Sequence, residues 1–441
     1  MREDHTITNS AKIHTHPEKL ILYRHMRENS LMKKVQNLMG AVNQETVPSA
    51  TRESLFFEIC ADLLKEAEKH HWEDNLWHHY LTLLIVQAEN PFSRASAWGR
   101  GKNIGSGLVH LAVHDVGLLK ELFDLDFRLL GSWVPSDIVD VLEYYPRGFS
   151  SPGPSGNGPY AERVAALTRS FPLAPPEELV QDLMGFYGAF GCGEMGWFAS
   201  FRWDPDQGLV GIPYPDPVRL DDLIGYQQQK TVIIHNTEAF IKGNRANNIL
   251  LYGERGTGKS STIKALVNAY YPEGLRLLEV DKAQFPHFLK IMRCVRAYPQ
   301  RFLVFIDDLS FERNETEYKY LKYILEGGME TLPDNVVIYA TSNRRHLVQE
   351  TWDEREGGDE VRAADALAEK LSLSDRFGLT VTFTSPDQEK YLEIVAGLAE
   401  KNGITLPLAE LRERALHWER WHNGRSGRTA KQFINSLLAE Q

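Results

Sequence analysis

Two hydrophobic rhythms divide the chain. From Arg52 to Ala88 apolar residues recur at helical spacing: Leu55, Phe56, Ile59, Cys60, Leu63 and Leu64 share one face, and Leu76 to Val86 is nearly continuous. The same rhythm runs through residues 107–145, with Leu108, Leu111, Ala112, Leu118, Leu119, Leu122 and Phe123, and resumes from Tyr160 to Phe190. Further on, short apolar runs of buried-strand type take over: Ile249 to Leu251, Leu275 to Val280, Phe302 to Ile306, Val336 to Ala340 and Leu379 to Phe383. Five such strands interleaved with helical patterns predict a parallel, three-layer α/β sheet whose ligands sit at the C-terminal strand ends.

Punctuation supplies the boundaries. Residues 1–50 are polar and weakly patterned, which predicts a partly disordered segment or a loosely packed helix. A mainly helical domain is expected over 51–212. Its end is read as a β-hairpin: Trp197, Phe198, Phe201 and Trp203, the turn residues Asp204 to Gly208, then a return strand over Leu209 to Ile212. Arg147 to Pro159 (RGFSSPGPSGNGP) reads as an exposed loop within it. Pro213, Pro215 and Pro217 predict a stiff linker and the domain boundary. A nucleotide-binding α/β domain is expected over 213–384 and a small helical lid over 385–441. In the lid, Ser385-Pro386-Asp387-Gln388 reads as an N-cap, a first-turn proline and a capping-box partner, and Gly403 stops the helix that follows.

The sharpest chemical signal lies between Asn248 and Ala269. Gly253-Glu254-Arg255-Gly256-Thr257-Gly258-Lys259-Ser260 satisfies G-x-x-x-x-G-K-[ST], with a strand-like run before it and Ile263, Leu266, Val267 and Tyr270 at helical spacing after it. Gly253, Gly256, Thr257, Gly258 and Ser261 belong to a loop whose backbone N–H groups cradle phosphates, and the helix presents its N-terminal dipole to the anion. Lys259 is expected on the phosphates and the Ser260 hydroxyl on Mg²⁺. Phe302 to Ile306 runs into Asp307-Asp308, the strand-then-acid pattern of a Walker B element. Asp307 is expected to support Mg²⁺ and Asp308 to polarise a water. The strand ending in Thr341-Ser342-Asn343 places an amide where it can orient that water.

Composition narrows the setting. The 441 residues, 42% hydrophobic and 25% charged, fit an ordinary globular chain of two or three domains. No apolar run approaches the roughly 20 residues that span a bilayer, and no secretory signal is visible, so no membrane partner and a cytoplasmic location are expected. Three distant cysteines give neither a disulfide frame nor a C-x-x-C metal site. The net charge of −11 argues against a broad, non-specific nucleic-acid surface. His70, His71, His78 and His79, with Glu73 and Asp74, read as polar residues on an amphipathic helix rather than a metal site, because the i, i+4 pair of helix-borne zinc is missing.

Walker A, Walker B, the strand ending in Asn343, the Ser374-Asp375-Arg376-Phe377 box and Ser426-Gly427-Arg428 follow one another in the order and spacing of AAA+ ATPases. The resemblance covers Leu220 to Gln441. More narrowly, FIDDLSFE, PDNVVIYATSNRRHL, LSDRFGL and RSGRTAKQF resemble a bacterial family of AAA+ ATPases of unassigned physiological role, and the Asp-Asp Walker B is similar to that of replication initiators and helicase loaders. The resemblance implies a sensor 1 role for Asn343, an arginine finger entering a neighbouring subunit for Arg376, a sensor 2 role for Arg428, and an adenine-side segment at Ile224-Gly225-Tyr226. Asp308 stands where many relatives carry glutamate, one methylene longer. Asp353 to Lys370 reads as a charged surface insertion. Phe285-Pro286-His287-Phe288 lies where some relatives have a pore loop, although core packing is the preferred reading.

The function expected is therefore a homo-oligomeric, Mg²⁺-dependent protein that binds and hydrolyses ATP and couples turnover to remodelling of an unidentified protein or nucleoprotein. The alternative is a slowly hydrolysing ATP-switch adaptor or loader. A small-molecule P-loop kinase fits less well, since the SDRF box and the terminal Arg428 suit self-assembly.

Overall fold

The computed structural model describes residues 16–43, 47–146, 158–311, 317–326, 331–343, 375–422 and 424–440. The chain divides into two compact units, Met1–Trp197 and Phe198–Gln441.

The described part of the first unit is helical. Its longer helices are Ser30–Asn43, Ser49–His70, Leu76–Val86, Ser106–Phe123, Pro159–Ser170 and Pro176–Phe190. The segment expected to be loose contributes to its core: Tyr23, Leu31, Met32, Val35 and Leu38 are all buried. Their spacing is helical, and a buried carboxylate fastens the chain ahead of them. Asp115, fully buried, accepts the backbone N–H groups of Ile21 (3.0 Å), Leu22 (2.7 Å) and Tyr23 (3.0 Å). Three histidines, His70, His78 and His79, are engaged by neighbours. His70 and His79 stack on Trp72, and the His78 Nε2 contacts the Phe123 carbonyl at 2.8 Å. Among the described residues no group of three or more His, Cys, Asp and Glu is placed to hold a metal. The Arg147 to Pro159 loop lies almost wholly outside the described residues.

The second unit is built on a seven-stranded sheet in the order β2-β1-β4-β5-β6-β3-β7. The strands are β1 (Ser200–Asp204), β2 (Gly208–Gly211), β3 (Ile249–Gly253), β4 (Leu275–Glu279), β5 (Arg301–Ile306), β6 (Val336–Ser342) and β7 (Leu379–Phe383). All neighbours are parallel except the β1–β2 hairpin. That hairpin does not close the first domain. β1 pairs in parallel with β4, Ser200 opposite Leu277, and so extends the sheet of the second unit. The boundary accordingly falls near Trp197, ahead of the prolines. The proline stretch is docked on the second unit, where the Asn268 amide donates to the carbonyls of Asp216 (2.7 Å) and Val218 (2.8 Å).

The expected parallel α/β sheet is present, as six parallel strands with β3 between β6 and β7, together with a C-terminal helical lid. The lid helices Gln388–Lys401, Leu408–Trp421 and Gly427–Ala439 share a core of Tyr391, Ile394, Val395, Leu411, Phe433 and Ile434. The first of them is capped by Asp387, whose side chain accepts from the Lys390 N–H at 2.8 Å, and not by Ser385. Ser385 instead donates to the Glu254 carboxylate. Phe285 and Phe288 are about 1% exposed, in keeping with packing and not with a gripping loop. Asp353 to Lys370 lies outside the described residues. Among the described residues no helix is long and apolar enough to cross a membrane.

Two outcomes follow for the first unit. Asp115→Ala strands three N–H groups and should cost about 3 kcal/mol or more in urea unfolding. Burial lowers the His79 pKa from 6.5 to about 4, so the neutral ring is the folded form. The unfolded chain then binds the extra proton, and thermal stability should fall as pH drops from 6.5 towards 4, with a shallower fall in His79→Gln.

Candidate nucleotide site

The strand order assembles the site. With β6 between β3 and β5, the C-terminal ends carrying the phosphate loop, Asn343 and the acid pair lie side by side. Gly253 leaves β3 at φ 142°, a conformation closed to side chains, and a Cβ there would stand 1.9 Å from the Phe383 carbonyl oxygen. The loop then turns through Gly256 (φ 75°) and Gly258 (φ 91°), the residue that opens the helix Lys259–Tyr270. Thr257 is buried and its hydroxyl donates to the Glu254 carbonyl at 2.8 Å, bracing the turn.

Lys259 is 6% exposed. Its Nζ donates to the carbonyls of Gly253 (2.8 Å) and Glu254 (2.7 Å) and to Asn343 Oδ1 (3.1 Å). Burial lowers its pKa, opposed by the charges of Asp308 and Asp307. The other end of the Asn343 amide donates to Asp308 Oδ1 at 2.6 Å, so one side chain links the cation to the second acid. Asp307 Oδ1 accepts from Ser260 Oγ (2.6 Å), from Thr341 Oγ1 (2.5 Å) and from the Asp308 N–H (3.1 Å). Asp308 itself sits at φ 48°.

The lid meets the loop from above. Ser426 caps the last helix by accepting the Thr429 N–H, and the Arg428 N–H donates to the Gly256 carbonyl at 3.2 Å. Arg428, Lys431, Ser261 and Lys259 line a cleft of about 980 Å³ together with Ile224, Gly225 and Tyr226. Tyr226 holds the apolar end in place: its hydroxyl donates to the Thr384 carbonyl (2.6 Å), its ring lies 5.2 Å from that of Phe383, and Lys390 Nζ sits 4.3 Å above it. Ile224 packs against the lid core.

Gly256, Thr257, Gly258, Lys259, Ser260, Ser261, Asp307 and Ile224 to Tyr226 thus converge on one cleft, as do Asp308, Asn343 and Arg428, whereas Gly253 ends β3 and does not line it. Arg376 does not line it. Its guanidinium is paired with Glu326 of the same chain, Nε to Oε1 at 2.7 Å. Three lining or bracing residues have no role assigned by the sequence pattern. Thr341 fastens the two acids, Glu254 ties the loop to Ser385, and Lys230 lines the cleft with Nζ on the Leu223 carbonyl at 2.6 Å. Lys230 did carry a signal, a lysine on the buried stripe of Ile233, Thr237 and Phe240.

The donor set suits a nucleotide and a hard divalent cation. Ser260 Oγ and Asp307 supply only oxygens, as Mg²⁺ prefers, and the loop and helix N-terminus supply N–H groups for phosphate.

Comparison with known proteins agrees with this division of the chain. The model of a family described as Protein of unknown function (DUF815) matches residues 197–441, more than half of the chain. The chain belongs to this family. The family match coincides with the second unit to within one residue. A curated relative, the replication factor C large subunit of Methanococcus vannielii, is 33% identical over 66 residues, 15% of this chain and 13% of its own length. Similar solved structures include the Thermotoga maritima RuvB Holliday junction branch migration motor, at 14% identity and TM-score 0.31, over 50% of this chain and 72% of that one. Another is AMPPCP-bound DnaA from Aquifex aeolicus, at 18% identity and TM-score 0.37, over 52% and 67%.

A buried ammonium held by neutral oxygens costs stability. With its folded pKa below the ordinary 10.5, the penalty is fully present at neutral pH and relieved only as pH rises through the lowered value. Lys259→Met should therefore leave the melting temperature unchanged or raise it, while abolishing binding of a fluorescent ATP analogue.

Proposed function

We propose that the chain is a Mg²⁺-dependent ATPase that works as a homo-oligomer and couples turnover to remodelling of a macromolecular partner. The observation that carries this reading is the continuous relay Lys259–Asn343–Asp308, beside Ser260–Asp307, at three adjacent strand ends. Mg²⁺, when bound, supplies charge neutralisation at the β- and γ-phosphates, and Ser260 and Asp307 are the residues to hold it. Lys259 and the loop N–H groups orient the phosphates. Asp308 accepts the proton of the attacking water, and Asn343 keeps that carboxylate in register with Lys259. Arg428, carried by the lid, adds positive charge over the nucleotide, so that phosphate state is felt as lid position.

Arg376 is assigned to a neighbouring copy's site. In the single chain Glu326 neutralises it, and assembly would have to exchange that carboxylate for the neighbour's phosphate. The first unit is assigned to partner recognition, and a protein or nucleoprotein partner is the class that fits an AAA+ motor.

A second reading is a slow ATP switch that recruits a partner. The Asp308 side chain supports it, since it is one methylene shorter than glutamate and already engaged by Asn343 at 2.6 Å.

Phosphate release from ATP and Mg²⁺, measured across a wide range of protein concentration, separates the two. On the motor reading, specific activity rises with concentration. Lys259→Ala then lowers it at least about 100-fold, and Arg376→Ala removes the rise with a loss of about 1000-fold at high concentration. Glu326→Gln should bring the rise to lower concentration. ATP binding with turnover at the Lys259→Ala background throughout would sink the motor and leave the switch.

A further inference from the structure

We propose that Thr341 is a positioning residue for hydrolysis at this site, its hydroxyl clasping both acids that follow β5 and fixing the Asp307 carboxylate that supports the divalent cation. This deepens the ATPase reading and rests on it. Thr341 lies on β6 and is 2% exposed. Its Oγ1 donates to Asp307 Oδ1 at 2.5 Å and accepts from the Asp308 N–H at 2.9 Å, while its carbonyl accepts from the Leu309 N–H at 2.7 Å. Three successive residues beyond the end of β5 are thus fastened to one residue of the neighbouring strand.

The fastening has work to do. β5 ends at Ile306, so its pairing with β6 stops before the acids, and Asp308 turns at φ 48°. A hydroxyl has one proton and two lone pairs, and here the proton goes to one acid while a lone pair serves the N–H of the next. With Ser260, Thr341 and the Asp308 N–H all on Asp307 Oδ1, Oδ2 makes no hydrogen bond among the described residues. One carboxylate oxygen is committed to the protein and the other is left for the cation or its water. Groups that orient a metal-binding carboxylate in this way typically contribute about 10- to 100-fold to metal affinity or activity.

Valine matches threonine in shape and favours a strand, so Thr341→Val removes the hydroxyl with little change of packing, and Thr341→Ser restores it. Two titrations test the clasp: Mg²⁺ dependence of binding of a fluorescent ATP analogue, and steady-state phosphate release against ATP at saturating Mg²⁺. The expected result is a Mg²⁺ half-saturation at least about 10-fold higher in Thr341→Val, a lower kcat, a KM for ATP within about twofold of the starting protein, and recovery in Thr341→Ser. A Thr341→Val protein equal to the starting protein in both titrations overturns the proposal, as does a Thr341→Ser protein as impaired as Thr341→Val. If the starting protein binds ATP without turning it over, the Mg²⁺ titration of binding still decides. If it shows no Lys259-dependent ATP binding, the nucleotide reading fails and the clasp falls with it.

Discussion

A single ammonium group sets the terms for the cleft. Lys259 Nζ is buried among two main-chain carbonyls and one amide oxygen, partners that satisfy its hydrogen bonds without cancelling its charge. Formal compensation comes from Asp307 and Asp308, two strands away in the sheet, and reaches it through Asn343. That arrangement exists only because β6 lies between β3 and β5. Had the acid strand paired directly with the loop strand, lysine and carboxylate would neutralise each other and the site would have little pull on an anion. The intervening strand holds the two charges apart at a distance one side-chain amide can span.

What the sequence made legible follows from the range of the interactions. The phosphate loop, the acid pair and Asn343 are each written in a few consecutive residues beside a strand, and local pattern suffices to find them. The hairpin after Trp197 was visible as a hairpin, yet nothing near it reveals that β1 lies beside β4, a partner about 75 residues on. A proline-rich stretch therefore passed for the boundary. The N-terminal segment read as loose because its anchor, Asp115, lies some 90 residues away. Ser385 and Asp387 compete for one helix start on equal sequence terms, and the Glu254 carboxylate beside Ser385 decides it. Thr341 carried no role in the sequence reading because its hydroxyl bonds reach Asp307 and Asp308, beyond the end of another strand, which no spacing rule records.

The lid and the loop meet by backbone as well as by side chain. Gly256 passes its carbonyl to the Arg428 N–H, and a Cβ on Gly256 would lie 3.0 Å from both Arg428 Cβ and Ser426 Oγ. The last helix is therefore seated on the glycine-rich loop, with Arg428 as its first exposed cation there. A shift of the loop by a few tenths of an ångström must move the helix or break that bond, which ties lid and loop together mechanically without help from the nucleotide base.

The left-handed turn at Asp308 bears on which acids this position accepts. Outside glycine, that region is tolerated best by asparagine and aspartate, whose short side chains bond to nearby backbone, and less readily by longer ones. The backbone thus filters the chemistry. An aspartate here need not be a weakened glutamate, because the fold admits the shorter acid at lower strain. The turn at the end of β5 thus selects for the length of the acid that occupies it, before any demand of chemistry.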